Sequence, residues 1–154
     1  MRSRESLRQL ARIQSLGTMR EKRARAALGR ALGHHKDLAL RLDDTHNAIV
    51  ATEQERYALF EAHRGLMTRG DLYQLKRRES VLESRRIDLM LDRTDIEDAL
   101  EQAQVAISQA RQALTDAQCR HHKIEVAAGL FQRDVNLQDR TSEEHEIEER
   151  SYEN

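Results

Sequence analysis

Residues 75–131 read LKRRESV LESRRID LMLDRTD IEDALEQ AQVAISQ ARQALTD AQCRHHK IEVAAGL F, and every block of seven opens on an apolar residue. That column is Leu75, Leu82, Leu89, Ile96, Ala103, Ala110, Ala117, Ile124 and Phe131. A second column, Leu100, Ile107, Leu114, then Ala128 and Val135, alternates with it at three- and four-residue steps. Such a pattern is the heptad seam of a coiled-coil helix, and its sustained period predicts left-handed supercoiling. The second column is polar early, at Glu79, Arg86 and Arg93, so the seam is thin there.

The first half of the chain carries a rougher partner seam. Its columns are Leu10, Gly17, Ala24, Ala31, Leu38, Thr45, Thr52, Leu59 and Leu66, interleaved with Leu28, His35, Leu42, Ile49, Arg56 and His63. Neither seam has the third apolar column of a helix in a globular core. Between the halves, Thr68-Arg69-Gly70-Asp71 supplies a helix-stopping glycine followed by an N-cap, and Gln74 stands three residues after Asp71. Gly65 is expected to loosen the last turn of the first helix. A short turn makes the two helices antiparallel neighbours. Aligning the seams pairs residues whose numbers sum to 141, so Thr52 meets Leu89, Thr45 meets Ile96, Leu38 meets Ala103 and Gly17 meets Ile124.

The expected fold is therefore all-α, two long helices forming an antiparallel left-handed coiled-coil hairpin. One domain covers 1–138, with a first helix over about 5–67, a turn at 68–71 and a second helix over about 72–138. Residues 139–154 leave the heptad pattern and are expected to be frayed or disordered.

Composition agrees. The 154 residues include no proline, where average usage would give roughly seven or eight. Proline breaks helix interiors and shapes turns, so a chain without it has few turns. An all-β sandwich and a doubly wound α/β fold need turns, strands or glycine-rich loops that are absent. No apolar run reaches the length of a membrane span, and the arginine-rich start lacks the continuous apolar core of a secretory signal. The single cysteine, Cys119, permits no internal disulfide and fits a reducing compartment. A cytoplasmic protein is expected.

The net charge of −1 hides an uneven distribution. Residues 1–42 hold eleven Lys/Arg against three Asp/Glu, a net of +8, while 139–154 hold seven acids against two arginines, a net of −5. Within the basic start, Arg20, Lys22, Arg23, Arg25 and Arg30 read either as a solvated helix face or as a contact for an acidic partner. No aromatic interleaves them for base stacking, so nucleic acid is not expected.

Seven histidines do not make a metal site. His34-His35 and His121-His122 are adjacent pairs whose side chains point about 100° apart on a helix. No His-x-x-x-His spacing occurs. A two-helix rod offers no water-excluding pocket for catalysis, and no cofactor or enzymatic activity is expected. The more informative cluster lies just after the turn, where Leu72, Tyr73 and Leu75 precede Lys76, Arg77 and Arg78. An apolar patch beside a basic triplet suits a protein docking site. The plainer alternative is that Leu72 and Leu75 close the seam and Tyr73 is an ordinary surface aromatic.

The chain resembles the FliJ/YscO family, the small central-stalk proteins of flagellar and injectisome type III secretion systems. The resemblance rests on size, the two-helix layout, the absence of proline, the segment Gly70-Asp-Leu-Tyr-Gln-Leu-Lys-Arg-Arg-Glu-Ser-Val-Leu82 and the tail Glu143-Glu-His-Glu-Ile-Glu-Glu-Arg150. A lysine-poor tail points to the injectisome, or virulence, branch. The resemblance implies a non-enzymatic stalk linking the hexameric secretion ATPase to the membrane export gate and to export chaperones, located in the cytoplasm at the inner-membrane apparatus. It implies a gate or chaperone contact at Leu72, Tyr73, Leu75, Lys76, Arg77 and Arg78, and an ATPase contact around Arg20, Lys22, Arg23, Arg25 and Arg30. No direct membrane insertion is expected, and a monomer or weak dimer is. The rival reading is a self-associating scaffold coiled coil with no motor partner.

Overall fold

A computed structural model describes the backbone of residues 2–152 and the side chains of 5–148. The fold is an all-α helical hairpin of two helices, α1 over Arg2–Ala62 and α2 over Arg69–Tyr152. The chain divides into two compact units. A turn unit comprises Arg30–Ser108, and a terminal unit comprises Met1–Gly29 with Gln109–Asn154.

Both helices form because their sequences hold no interior proline and are rich in Ala, Leu, Glu, Gln and Arg, the strong helix formers. From Leu75 to Phe131, every residue of the seven-spaced column in α2 is buried or half-buried, as the spacing predicts. In the turn unit the core is Leu38, Ile49, Leu75, Ile96, Ala103 and Ile107, with Thr52 sealed at 1 % exposure. The Thr52 hydroxyl donates to the Ala48 carbonyl at 2.8 Å, which satisfies it without a partner across the seam. In the terminal unit Ala128 and Val135 are buried, and Ile124 Cδ1 lies 3.7 Å from where a Cβ on Gly17 would stand. That pairing is one the register of 141 names.

The turn differs from the expected one. It occupies 63–68 rather than 68–71, and α1 ends at Ala62 rather than near 67. The left-handed residue is Gly65, at φ +124°, a conformation that favours glycine. The His63 imidazole donates from Nδ1 to the Leu59 carbonyl at 2.8 Å, capping the end of α1. Thr68, not Asp71, is the N-cap of α2. Its hydroxyl oxygen accepts from the Asp71 N–H at 3.2 Å, and its own N–H donates to Asp71 Oδ2 at 3.1 Å. This reciprocal pair is a capping box shifted three residues upstream of the expected one, which leaves Gly70 inside the first turn. The Thr68 hydroxyl and then the Thr68 N–H, by bonding the charged form, hold the Asp71 carboxyl below its ordinary range. Leu66, expected at the end of the seam, is fully exposed, because the chain has already left α1.

The C-terminal end also differs. Residues 139–152 continue α2 as helix, although each described side chain from 136 to 148 is exposed. Leaving the heptad pattern removes burial but not helix propensity, and this stretch is rich in glutamate with no glycine or proline. Residues 153–154 of the expected tail lie outside the described residues.

The thin part of the seam is ionic. Arg56 donates to Glu83 Oε2 at 3.1 Å and to Glu79 Oε1 at 3.3 Å, and Arg86 donates to Glu83 Oε1 at 2.9 Å. The Arg86 hydrogen bond, with the Arg86 and Arg56 charges behind it, lowers the Glu83 carboxyl below its ordinary range. A depressed folded-state carboxyl contributes stability above its unfolded pKa and loses it as pH falls through the folded value. Thermal melts should therefore show the turn unit weakening as pH falls below about 4, and Glu83→Gln should reduce that dependence, leaving the part that Asp71 contributes. A melt equally acid-sensitive in Glu83→Gln would remove Glu83 as its source.

Candidate partner-binding site

Two groups of residues were expected to meet partners, and the structure treats them differently. In the turn unit, Leu75 is buried at 7 % exposure, so it belongs to the seam and not to an outward patch. Leu72 and Tyr73 are exposed, and Lys76, Arg77 and Arg78 are exposed as well. Arg77 and Arg78 stand on the wall of a groove that faces Glu55, Ala58 and Leu59 of α1. The carboxylate of that wall, Glu55, faces Arg85 at 4.0 Å instead.

The other cations of this region each have a carboxylate or ring partner. Arg56, Arg64, Arg85, Arg86 and Arg93 each face a carboxylate within 4.0 Å. Arg69 sits over the Tyr73 ring, 5.8 Å from its centroid. Between Glu53 and Glu97, Lys76, Arg77 and Arg78 are the Lys/Arg side chains with neither a carboxylate nor a ring partner among the described residues.

Beside them runs a shallow groove of about 830 Å³ between the helices. Its walls are Glu55, Ala58 and Leu59 of α1 and Gln74, Arg77, Arg78, Val81 and Leu82 of α2. A smaller hollow of about 310 Å³ is lined by Glu53, Arg56, Tyr57, Phe60 and Arg86. Arg56 lies 5.9 Å from the Phe60 centroid there. Tyr57, Phe60, Met67 and Val81 are exposed apolar or aromatic residues near the turn that the seam pattern does not single out. Their signal in the sequence is negative: they are large apolar residues off both columns, or past the end of α1.

The basic group on α1 is divided. Arg20, Lys22, Arg23 and Arg25 lie exposed in the terminal unit, whereas Arg30 begins the turn unit. Arg25 is paired with Glu21 on its own helix at 2.7 Å. Arg20 lines a narrow groove with Gly17, Ala24, Asp116, Arg120 and Ile124, where small residues let the helices come close.

Beside that groove His121 occupies a seam position that the apolar columns skip. Its Nδ1 lies 3.1 Å from Glu21 Oε2, and its Nε2 lies 3.4 Å from Thr18 Oγ1. An added Cβ on Gly17 would stand 3.1 Å from the His121 ring, whereas one on Gly29 would meet nothing within 4 Å. Gly29→Ala is therefore expected to stabilise the terminal unit by about 0.5–1 kcal/mol through helix propensity. Gly17→Ala should gain less or lose, because the ring must move away from Glu21. Equal gains in thermal melts would show that Gly17 makes no room for His121.

Among the described residues, no group of three or more His, Cys, Asp or Glu side chains is placed to hold a metal. No described helix is long and apolar enough to cross a membrane.

No protein-family model matches the chain, and no curated protein matches it. Among solved structures it is similar to the type III secretion protein YscO from Vibrio parahaemolyticus, at 20% identity and a TM-score of 0.79. The similarity covers 96% of this chain and 96% of that one, so the two share their fold end to end.

Proposed function

We propose that this chain is a FliJ/YscO-type protein that acts, without catalysis of its own, as the central stalk of a type III secretion apparatus. The observation that carries the reading is the fold shared with a type III secretion protein over nearly the whole of both chains. In this reading the protein is cytoplasmic and peripheral to the inner membrane. Its partners are the hexameric secretion ATPase, the export gate and the export chaperones.

The physical properties suit that work. Two charged groups, one in each unit, on a chain with little internal chemistry can engage two machines. A stalk inside a sixfold ring makes asymmetric contacts, for which charged, reversible ones serve better than a large apolar interface. The basic residues Arg20, Lys22, Arg23 and Arg25, with Arg30, are assigned to the ATPase. The exposed residues after the turn, Leu72, Tyr73, Lys76, Arg77 and Arg78, are assigned to the gate or a chaperone, and Leu75 supports them from the seam.

Mixing the purified chain with the secretion ATPase of its own system tests the reading. Co-sedimentation and a change in ATP turnover are expected, both weakening as salt rises. Absence of binding at low salt, together with normal secretion after deletion of the gene, would refute the assignment. A scaffold role is favoured by one observation, the outward apolar residues Val126, Leu130 and Leu137 on α2. Sedimentation at several concentrations separates the two, since a stable dimer supports the scaffold and a monomer the stalk.

A further inference from the structure

The groove beside the turn combines two features that rarely occur together by accident on an otherwise paired surface. Its lining includes the apolar Ala58 and Leu59 on one side and Val81 and Leu82 on the other. Val81 is 64 % exposed although it is a β-branched apolar residue on a helix. Its α2 rim carries Arg77 and Arg78, which lack the carboxylate partners that neighbouring arginines have. The opposite rim carries Glu55, whose charge is already answered by Arg85 at 4.0 Å. The groove therefore presents an apolar strip with a net positive edge.

We propose that this groove takes an amphipathic helix of a partner protein, with apolar side chains over Ala58, Leu59, Val81 and Leu82 and carboxylates against Arg77 and Arg78. A volume of about 830 Å³ accommodates the few apolar anchors of a helix laid along a groove. The free guanidiniums select the sign of the flanking charge. Arginine serves here better than lysine, because its planar fork can hold a carboxylate through two parallel hydrogen bonds. The proposal deepens the reading of the turn end as a partner contact and rests on it, adding the chemistry of the partner.

The test uses the full chain and two labelled helical peptides of about five turns each. Both carry the same leucine stripe; one has glutamates on its flanks and the other lysines. Fluorescence anisotropy should show the acidic peptide binding about tenfold more tightly at low salt. The double variant R77E/R78E should reverse the preference, and Val81→Ser should weaken the acidic peptide. R20E/R23E, in the terminal unit, should leave binding as it was. All five substitutions are at exposed positions, and circular dichroism checks that helicity is kept.

Equal affinity for the two peptides, or acidic-peptide binding untouched by R77E/R78E, would overturn the proposal. So would concentration-dependent self-association that R77E/R78E abolishes, because the acidic 139–148 segment of a second copy would then be the occupant. Secretion is scored separately. Charge-selective binding with normal secretion after gene deletion refutes the stalk reading and keeps the groove. Charge-blind binding with lost secretion does the reverse.

Discussion

Replacing Ile96 by aspartate should lower the melting temperature of the turn unit by about 10–20 °C. Ile96 is 5 % exposed, and the register sets it against Thr45. The Thr45 hydroxyl already donates its single proton to the Arg41 carbonyl at 2.8 Å, so it has none for a new carboxylate. An aspartate there loses the burial of a large aliphatic group and brings an uncompensated charge into the seam, together worth about 3 kcal/mol or more. A unit of this size shifts by roughly 4–8 °C per kcal/mol. Ile87→Asp is the control, since Ile87 is 49 % exposed and off both columns. Its effect should stay within about 0.5 kcal/mol. If the two variants melt together, Ile96 is not a seam residue.

The second large effect is functional. Under the proposed stalk role, changing Lys76, Arg77 and Arg78 together to alanine should leave circular dichroism unchanged, because all three are exposed and form no ion pair among the described residues. Alanine is also the best helix former. Secretion should nevertheless fall at least about tenfold, equivalent to about 1.4 kcal/mol of partner binding. The reduction should mimic raised ionic strength in binding assays, since exposed charges are what salt screens. Secretion at the wild-type level would remove this surface from the function.

Much of the fold was legible from the sequence because a heptad column is a long, redundant signal. Nine positions from Leu75 to Phe131 agree with one another, and no single substitution could disguise them. The turn was harder to read because its signals are short and overlap. Thr68 and Asp71 can each start a helix, and Gly65 and Gly70 can each end one. The choice is made by the reciprocal Thr68–Asp71 bonds and by Gly65 at φ +124°, which have no trace in residue types alone. The helical end of α2 beyond 138 was hidden for a related reason: periodicity reports burial, whereas helix formation there follows from propensity. At the candidate site, the basic triplet was visible as three consecutive letters. That Val81 lines a groove depends on the register, and so does the pairing of Glu55, across that groove, with Arg85 rather than with Arg77 or Arg78.

The ionic layer around Arg56 bears on how the chain finds its register at all. A seven-residue repeat offers the helices several nearly equivalent alignments, each offset by one heptad and each burying similar apolar columns. Arg56 distinguishes them. In the observed alignment it reaches Glu79 and Glu83. Slipped one heptad in one direction it would meet Arg86 and Met90, and in the other Leu72 and Lys76. Both mistakes exchange two opposite charges for a like charge and an apolar neighbour. The weakest stretch of the apolar seam is thus the stretch that tells a correctly zipped hairpin from its shifted copies.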